Sequence, residues 1–171
     1  MAGTVGLATM ALGTPAAMAH ERPDRHEIES EGPLVDLLLT TGQPTDGAHA
    51  EVEAKVRHGF TVVRLKVEGL DRAAAGTHLG AHVHVGPCVA GAGPAAGPHY
   101  NVSTVTPPAI DESTEVWLDF EISRKGKGRA EALVPFVIPP GGAMSVVIHA
   151  QPTHPVSGAA GPRWACLPVA F

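Results

Sequence analysis

The apolar residues of this chain come in short runs that alternate with polar ones and stop at Gly or Pro, which restricts the fold to β structure. With 20 Gly and 16 Pro among 171 residues, turns are frequent and no helix long enough to pack is expected. The stretch Gly80-Ala81-His82-Val83-His84-Val85-Gly86-Pro87-Cys88 constrains most. In a strand, successive side chains point to opposite faces. His82 and His84 therefore share one face, and Ala81, Val83 and Val85 share the other. An imidazole pair backed by an apolar triplet is a way for a sheet to carry a metal site. Four residues on, Cys88 offers a means of locking the neighbouring loop.

Strand-like runs recur at residues 33–39, 48–57, 61–67, 80–85, 116–122, 129–137, 144–150 and 164–171. Within 48–57, Ala50, Val52, Ala54 and Val56 fall on one face. His58-Gly59 reads as a hairpin turn into 61–67, and residues 123–128 read as another. About eight strands and no packing helix fit an all-β domain, a Greek-key β-sandwich or flattened eight-stranded barrel. Two segments fall outside the pattern: a Gly/Pro-rich loop over 89–113 and a shorter one over 151–162. Each follows a histidine-bearing strand, and long loops in compact domains usually carry function.

Residues 1–19 read as an export signal, with a short apolar run over 4–13 and an Ala17-Met18-Ala19 cleavage pattern. The run is too short to span a bilayer, so no membrane span is expected. Residues 20–32 are polar and charged and read as a flexible lead-in. Residues 33–171 remain as one domain with room for a real core. A secreted or other extracytoplasmic location, periplasm or cell envelope, follows. The two cysteines, Cys88 and Cys166, suit one disulfide in an exported chain, with two free thiols or two soft metal ligands as the alternatives. In the chain-entropy model a bond closing so long a loop contributes on the order of 4 kcal/mol. A net charge of −5 without a basic stripe argues against nucleic acid as a partner. Oligomeric state is not readable from the sequence.

The chain has ten histidines, and their placement matters more than their number. His149 ends the run Ser145-Val146-Val147-Ile148-His149, where burial is costly unless the ring is paired or ligated. His99 sits in Gly97-Pro98-His99-Tyr100-Asn101, inside the long loop. With His82 and His84 these make a set of imidazole donors with no acid among them, which suits copper or zinc. Taken singly, each reads as a hydrogen-bonded core or surface histidine, and only together do they point to a metal. His78 shares the parity of His82, and His154 lies in the shorter loop; both are weaker candidates. His20 and His26 read as solvated, and Trp117 and Trp164 as packing residues.

Four segments taken together, Gly80-Ala81-His82-Val83-His84, Gly97-Pro98-His99-Tyr100-Asn101, Ser145-Val146-Val147-Ile148-His149-Ala150 and Arg163-Trp164-Ala165-Cys166, resemble the signature segments of copper/zinc superoxide dismutases, in that family's order. The resemblance extends from about residue 34 to 171 as a strand pattern and is specific at the four segments. It implies that His82, His84 and His149 are copper ligands and that His99 bridges copper to a second site. It implies that Arg163 is a catalytic guanidinium at the mouth, with His99 as the proton-handling group. It also implies that Cys88 and Cys166 form the disulfide that holds Arg163 in place.

The departures from that family pattern are specific. Its zinc subsite needs two further histidines and an aspartate, yet no histidine lies between His99 and His149. Asp111, Glu112, Glu115 and Asp119 do not make a zinc site of that kind. The loop before Arg163 is short and has no acid or lysine. The pattern therefore resembles the copper-only branch of the family, with copper expected and zinc not. There a carboxylate beside the bridging histidine stands in for zinc, and Glu112 or Glu115 is the candidate. The implied function is an exported superoxide dismutase, with superoxide as substrate and O2 and hydrogen peroxide as products. Two alternatives use the same fold: a non-catalytic copper-binding or buffering module, and a purely structural adhesion domain.

Overall fold

The computed structural model describes residues 26–171; the expected export signal and His20 lie outside them. The described chain is all-β. In order the strands are β1 (Glu27–Pro33), β2 (Val35–Asp36), β3 (His49–Arg57), β4 (Phe60–Glu68), β5 (His78–Leu79), β6 (Ala81–His84), β7 (Phe120–Glu121), β8 (Lys127–Val134), β9 (Ser145–His149) and β10 (Arg163–Pro168). Helical structure among the described residues is limited to two short 3-10 turns, Arg72–Ala74 and Gly93–Ala96. One antiparallel sheet has the order β1-β3-β4-β8, a second β2-β10-β9-β6, and β5 pairs with β7 alone. Neither large sheet closes into a barrel, and the arrangement fits a β-sandwich.

The alternation read from the sequence decides which residues meet between the sheets. Ala50, Val52 and Ala54 of β3 and Val63, Leu65 and Val67 of β4 are buried from the first sheet. Ala81 and Val83 of β6, Val146 and Ile148 of β9, and Ala165 and Leu167 of β10 meet them from the second, in one cluster. The outer face of the first sheet is polar, with Lys55 paired to Glu27 and Glu53, Arg64 to Glu53 and Glu131, and Lys66 to Glu51. The β3–β4 hairpin turns at His58 and Gly59, both at positive φ (53° and 83°). That is the two-residue turn whose twist matches the flanking strands, and glycine reaches it without strain.

The sequence reading needs correction at several boundaries. Residues 27–32 are not a flexible lead-in. They form most of β1, which pairs with β3 from Glu27↔Lys55 to Pro33↔His49. Charged composition misled here, because an edge strand with one face to water tolerates Glu at alternate positions. The run at 33–39 gives only β2 beyond Pro33. The run at 116–122 gives only β7 as a ladder. Its earlier part touches β6 through an isolated His82↔Trp117 bridge. The turn at 123–128 forms, with Gly126 N–H donating to Ser123 O, but its flanks make no hairpin, because β8 pairs with β4.

The second sheet has two unlike faces. Its inner face joins the core. Its outer face carries a smaller apolar cluster of Leu37, Ala96, Val147 and Cys166, with Cys88 packed against it. Cys88 and Cys166 are bonded across 78 residues. The bond ties the loop after β6 onto β10. Converting both cysteines to serine is expected to lower unfolding free energy by about 4 kcal/mol in the chain-entropy picture. Urea denaturation of the double variant beside the oxidised wild type measures this, and an unchanged midpoint would show that the loop is held by packing alone.

Candidate metal centre

The centre lies on the outer face of the second sheet because strand parity puts it there. β6 runs antiparallel to β9 with Ala81↔Ile148, His82↔Val147, Val83↔Val146 and His84↔Ser145 in register. Directly opposed residues share a face, so His82, His84, Val147 and His149 point outward while Ala81, Val83 and Ile148 point into the core. The free edge of β6 is covered by the long loop. Val85 N–H donates to Pro98 O, Tyr100 N–H donates to Val83 O, and His99 forms a β-bridge with His84. The loop thus lays His99 beside the strand that carries the other two rings.

Four imidazoles meet there. One ring nitrogen from each of His82, His84, His99 and His149 lies within 4.8 Å of those of the others. His82 and His84 are fully buried, His149 is 4% exposed, and the His99 side chain is the most open at 18%. The His82 and His99 ring centroids are 4.0 Å apart, and those of His84 and His99 4.7 Å.

The hydrogen bonds fix where each ring keeps its proton. His84 Nδ1 is 3.0 Å from Gly97 O, and His149 Nδ1 is 3.2 Å from Gly161 O. A carbonyl oxygen only accepts, so both Nδ1 atoms carry hydrogen and both Nε2 atoms carry lone pairs. Those two Nε2 atoms face each other at 3.3 Å. Burial holds both rings neutral at neutral pH, the pKa of His84 pushed down to about 3 and that of His149 to about 4. Two acceptors face one another with no proton between them, an arrangement that a shared cation relieves.

His99 Nδ1 lies 2.7 Å from Glu115 Oε2, which leaves Nε2 as its free atom. Trp117 Nε1–H donates to the same carboxylate oxygen at 2.8 Å, and Asn101 Nδ2–H donates to Oε1 at 2.9 Å. Burial alone would raise the Glu115 pKa, but hydrogen bonds from His99, Trp117 and Asn101 outweigh it and hold the group below the usual glutamate value. His82 is oriented the other way round, with Nε2 2.7 Å from Thr153 Oγ1. Its Nδ1 is buried and has no hydrogen-bond partner. An orphaned imidazole nitrogen among three others with free lone pairs is what a ligated ring looks like without its ion. Four imidazole nitrogens suit copper or zinc, so the donor set fits either ion.

The remaining candidates sort clearly. Arg163 stands opposite His149 on β10, just before a bulge in that ladder. Its Nη1 donates to Gly93 O at 2.8 Å, which fixes the guanidinium beside the loop. Its charge is felt at the centre as one of the contributions, behind burial, that lower the His82, His84 and His149 pKa values. Of the two acidic candidates, Glu115 contacts His99 and Glu112 is exposed. His78 is exposed and faces Glu121 at 3.6 Å. His154 is exposed, its Nδ1 accepting from Val156 and Ser157 N–H. Neither belongs to the four-ring group. Trp117 does more than pack, since it helps to hold Glu115. The carbonyls of Gly97 and Gly161 were not foreseen, and no sequence signal marks a backbone acceptor.

These shifts set a pH dependence. Folded pKa values of about 3 and 4 lie below the ordinary histidine value of 6.5. The unfolded chain therefore binds more protons between those limits, and stability is lost as pH falls. The low pKa of Glu115 acts in the same direction below 4.5. Metal-free protein is expected to lose denaturant resistance steadily from pH 6.5 down to pH 4, and a stability flat across that range would contradict neutral buried rings. No protein-family model matches the chain, and no curated protein does.

Proposed function

We propose that this protein is an exported, copper-dependent superoxide dismutase of the copper-only kind. The observation that carries the reading is the pair of opposed Nε2 lone pairs on His84 and His149, completed by the orphaned Nδ1 of His82. His82, His84, His99 and His149 would hold the ion. Bound copper would supply a one-electron couple, Cu(II)/Cu(I), through which two superoxide anions and two protons become O2 and hydrogen peroxide. Zinc is not part of this reading. Glu115 accepts the second N–H of His99, the place a further metal would need.

The chain's own residues would act on the anion and the proton. Arg163, anchored by Gly93 O, gives a fixed positive charge that attracts and orients superoxide. His99 is the least buried ring and keeps Nδ1–H on Glu115. Its Nε2, in the state in which it does not hold the ion, would take up a proton and pass it to the reduced oxygen species, with the second proton coming from water. The net charge of −5 does not favour an anionic substrate, so attraction is local to Arg163.

The disulfide supports an oxidising compartment, and among the described residues no helix is long and apolar enough to cross a membrane. Secretion and the Greek-key connectivity of the dismutase fold belong to the same proposal. One observation favours the second reading, a copper-buffering module. The loop before Arg163 offers no lysine to share in steering.

Copper-loaded protein is expected to dismutate superoxide, and His82→Ala or His149→Ala to lose both copper and activity. One bound copper with no turnover would favour buffering. Copper content indifferent to both substitutions would end the metal reading. Arg163→Gln is expected to keep its copper and slow turnover by about tenfold or more, with the salt dependence of the rate reduced. Pulse radiolysis across ionic strengths gives the measurement.

A further inference from the structure

The site described so far leaves unexplained how His82 keeps the opposite tautomer to its three neighbours. Its strand supplies no carbonyl to Nδ1. Instead its Nε2 meets a hydroxyl, Thr153 Oγ1, at 2.7 Å. That hydroxyl lies 2.6 Å from Asp119 Oδ1. Asp119 Oδ2 also accepts Thr153 N–H at 2.7 Å, and Oδ1 accepts Ala81 N–H at 3.3 Å. A carboxylate only accepts, so the single hydroxyl proton of Thr153 goes to Asp119. The oxygen then presents a lone pair to His82, which must answer with Nε2–H. The proton is thereby excluded from Nδ1, the buried nitrogen without a partner.

The same contacts place the loop. Gly80 N–H donates to Gln151 O at 2.7 Å, and His149 N–H donates to Gly80 O at 2.7 Å. A Cβ on Gly80 would lie 2.7 Å from Ala160 Cβ, 2.8 Å from Gln151 O and 3.0 Å from Thr153 Oγ1, so only glycine lets the loop approach this closely. Asp119 thus joins the residue before His82 to the loop whose Gly161 carbonyl orients His149.

We infer that Thr153 and Asp119 are positioning residues for the metal centre, a hydroxyl–carboxylate relay that locks His82 in the Nε2–H tautomer so that Nδ1 is delivered as a ligand. The inference rests on the reading of the four histidines as a copper site. Partners that orient ligating histidines typically govern metal affinity by tenfold to a hundredfold. Thr153→Val keeps the shape of the side chain and removes the hydroxyl. It is expected to weaken Cu(II) affinity, measured by competition with a chelator, by about 10–100-fold. It is also expected to change the Cu(II) electron paramagnetic resonance spectrum. Thr153→Ser, which keeps the hydroxyl, is expected to restore both.

A second measurement needs neither metal nor variant. In metal-free wild type, long-range proton–nitrogen correlation of the His82 ring is expected to show hydrogen on Nε2. Hydrogen on Nδ1 overturns the relay, as does Thr153→Val protein that folds and binds copper with wild-type affinity and spectrum. Wild type that takes up no copper while His82 shows Nε2–H removes the copper reading and leaves the relay standing.

Discussion

The centre is governed by what four clustered imidazoles, three of them buried, do with their N–H groups. Each neutral ring has one donor and one acceptor, and a buried ring must place both. Here each donor goes to a fixed oxygen: Gly97 O for His84, Gly161 O for His149, Glu115 for His99 and Thr153 for His82. All four acceptors are then left over in one small volume. Burial keeps out the extra proton that would relieve them, which is why His84 and His149 are held at pKa values of about 3 and 4. Such an arrangement is costly to build unless something cationic is bound, because unsatisfied buried polar atoms cost on the order of 1–3 kcal/mol each.

The rest of the fold holds those oxygens in place. Two of the four oxygens come from the long loop or its continuation, Gly97 and Glu115, and two from the shorter loop, Thr153 and Gly161. The sheet supplies His82, His84 and His149 through strand parity, and the loops supply the acceptors. Loops are ordinarily the least stable parts of a domain. This explains why the molecule ties the long one down with Cys88–Cys166 and packs its Ala96 against Leu37 and Val147. It also explains the close approach at Gly80, where the shorter loop sits directly on the backbone beside β6.

What the sequence revealed follows from which forces are local. Period-two alternation found β3 and β4 nearly to the residue, because these strands bury one face and the burial pattern is written into the side chains; β6 and β9, buried on both faces, were found as short runs between turn residues. It overlooked β1, whose outward glutamates look like disorder when the partner strand is not in view. It overextended β7 and the run at 33–39, where apolar residues serve the core without belonging to a ladder. His82 and His84 were legible from parity, His149 from the cost of burying a ring at the end of an apolar run, and His99 only through its motif. The choice of Glu115 over Glu112 was left open, since it depends on a bridge between Asn101 and Glu115 that joins segments 14 residues apart. Thr153 could not be read at all, because a threonine in Gln151-Pro152-Thr153-His154 has no periodicity or spacing to set it apart.

The distribution of charge gives the site a character that the net charge conceals. The far sheet nearly balances its own charges, with Lys55, Arg64, Lys66 and Lys127 paired with Glu27, Glu53, Glu131, Glu51 and Glu68. These exposed pairs contribute little to stability but tie those cations to carboxylates away from the centre. Near the centre the Glu115 carboxylate accepts hydrogen bonds from three donors, and burial holds the His84 and His149 rings neutral at neutral pH. Among the described residues Arg163 has no carboxylate within ion-pair distance, and its contact to Gly93 O leaves its charge uncompensated. Beyond a screening length of about 8 Å in physiological salt, the acids of the far sheet are largely screened. A small anion at the outer face of the second sheet therefore meets the fixed positive charge of Arg163 beside four imidazoles, on a molecule whose overall charge has the opposite sign.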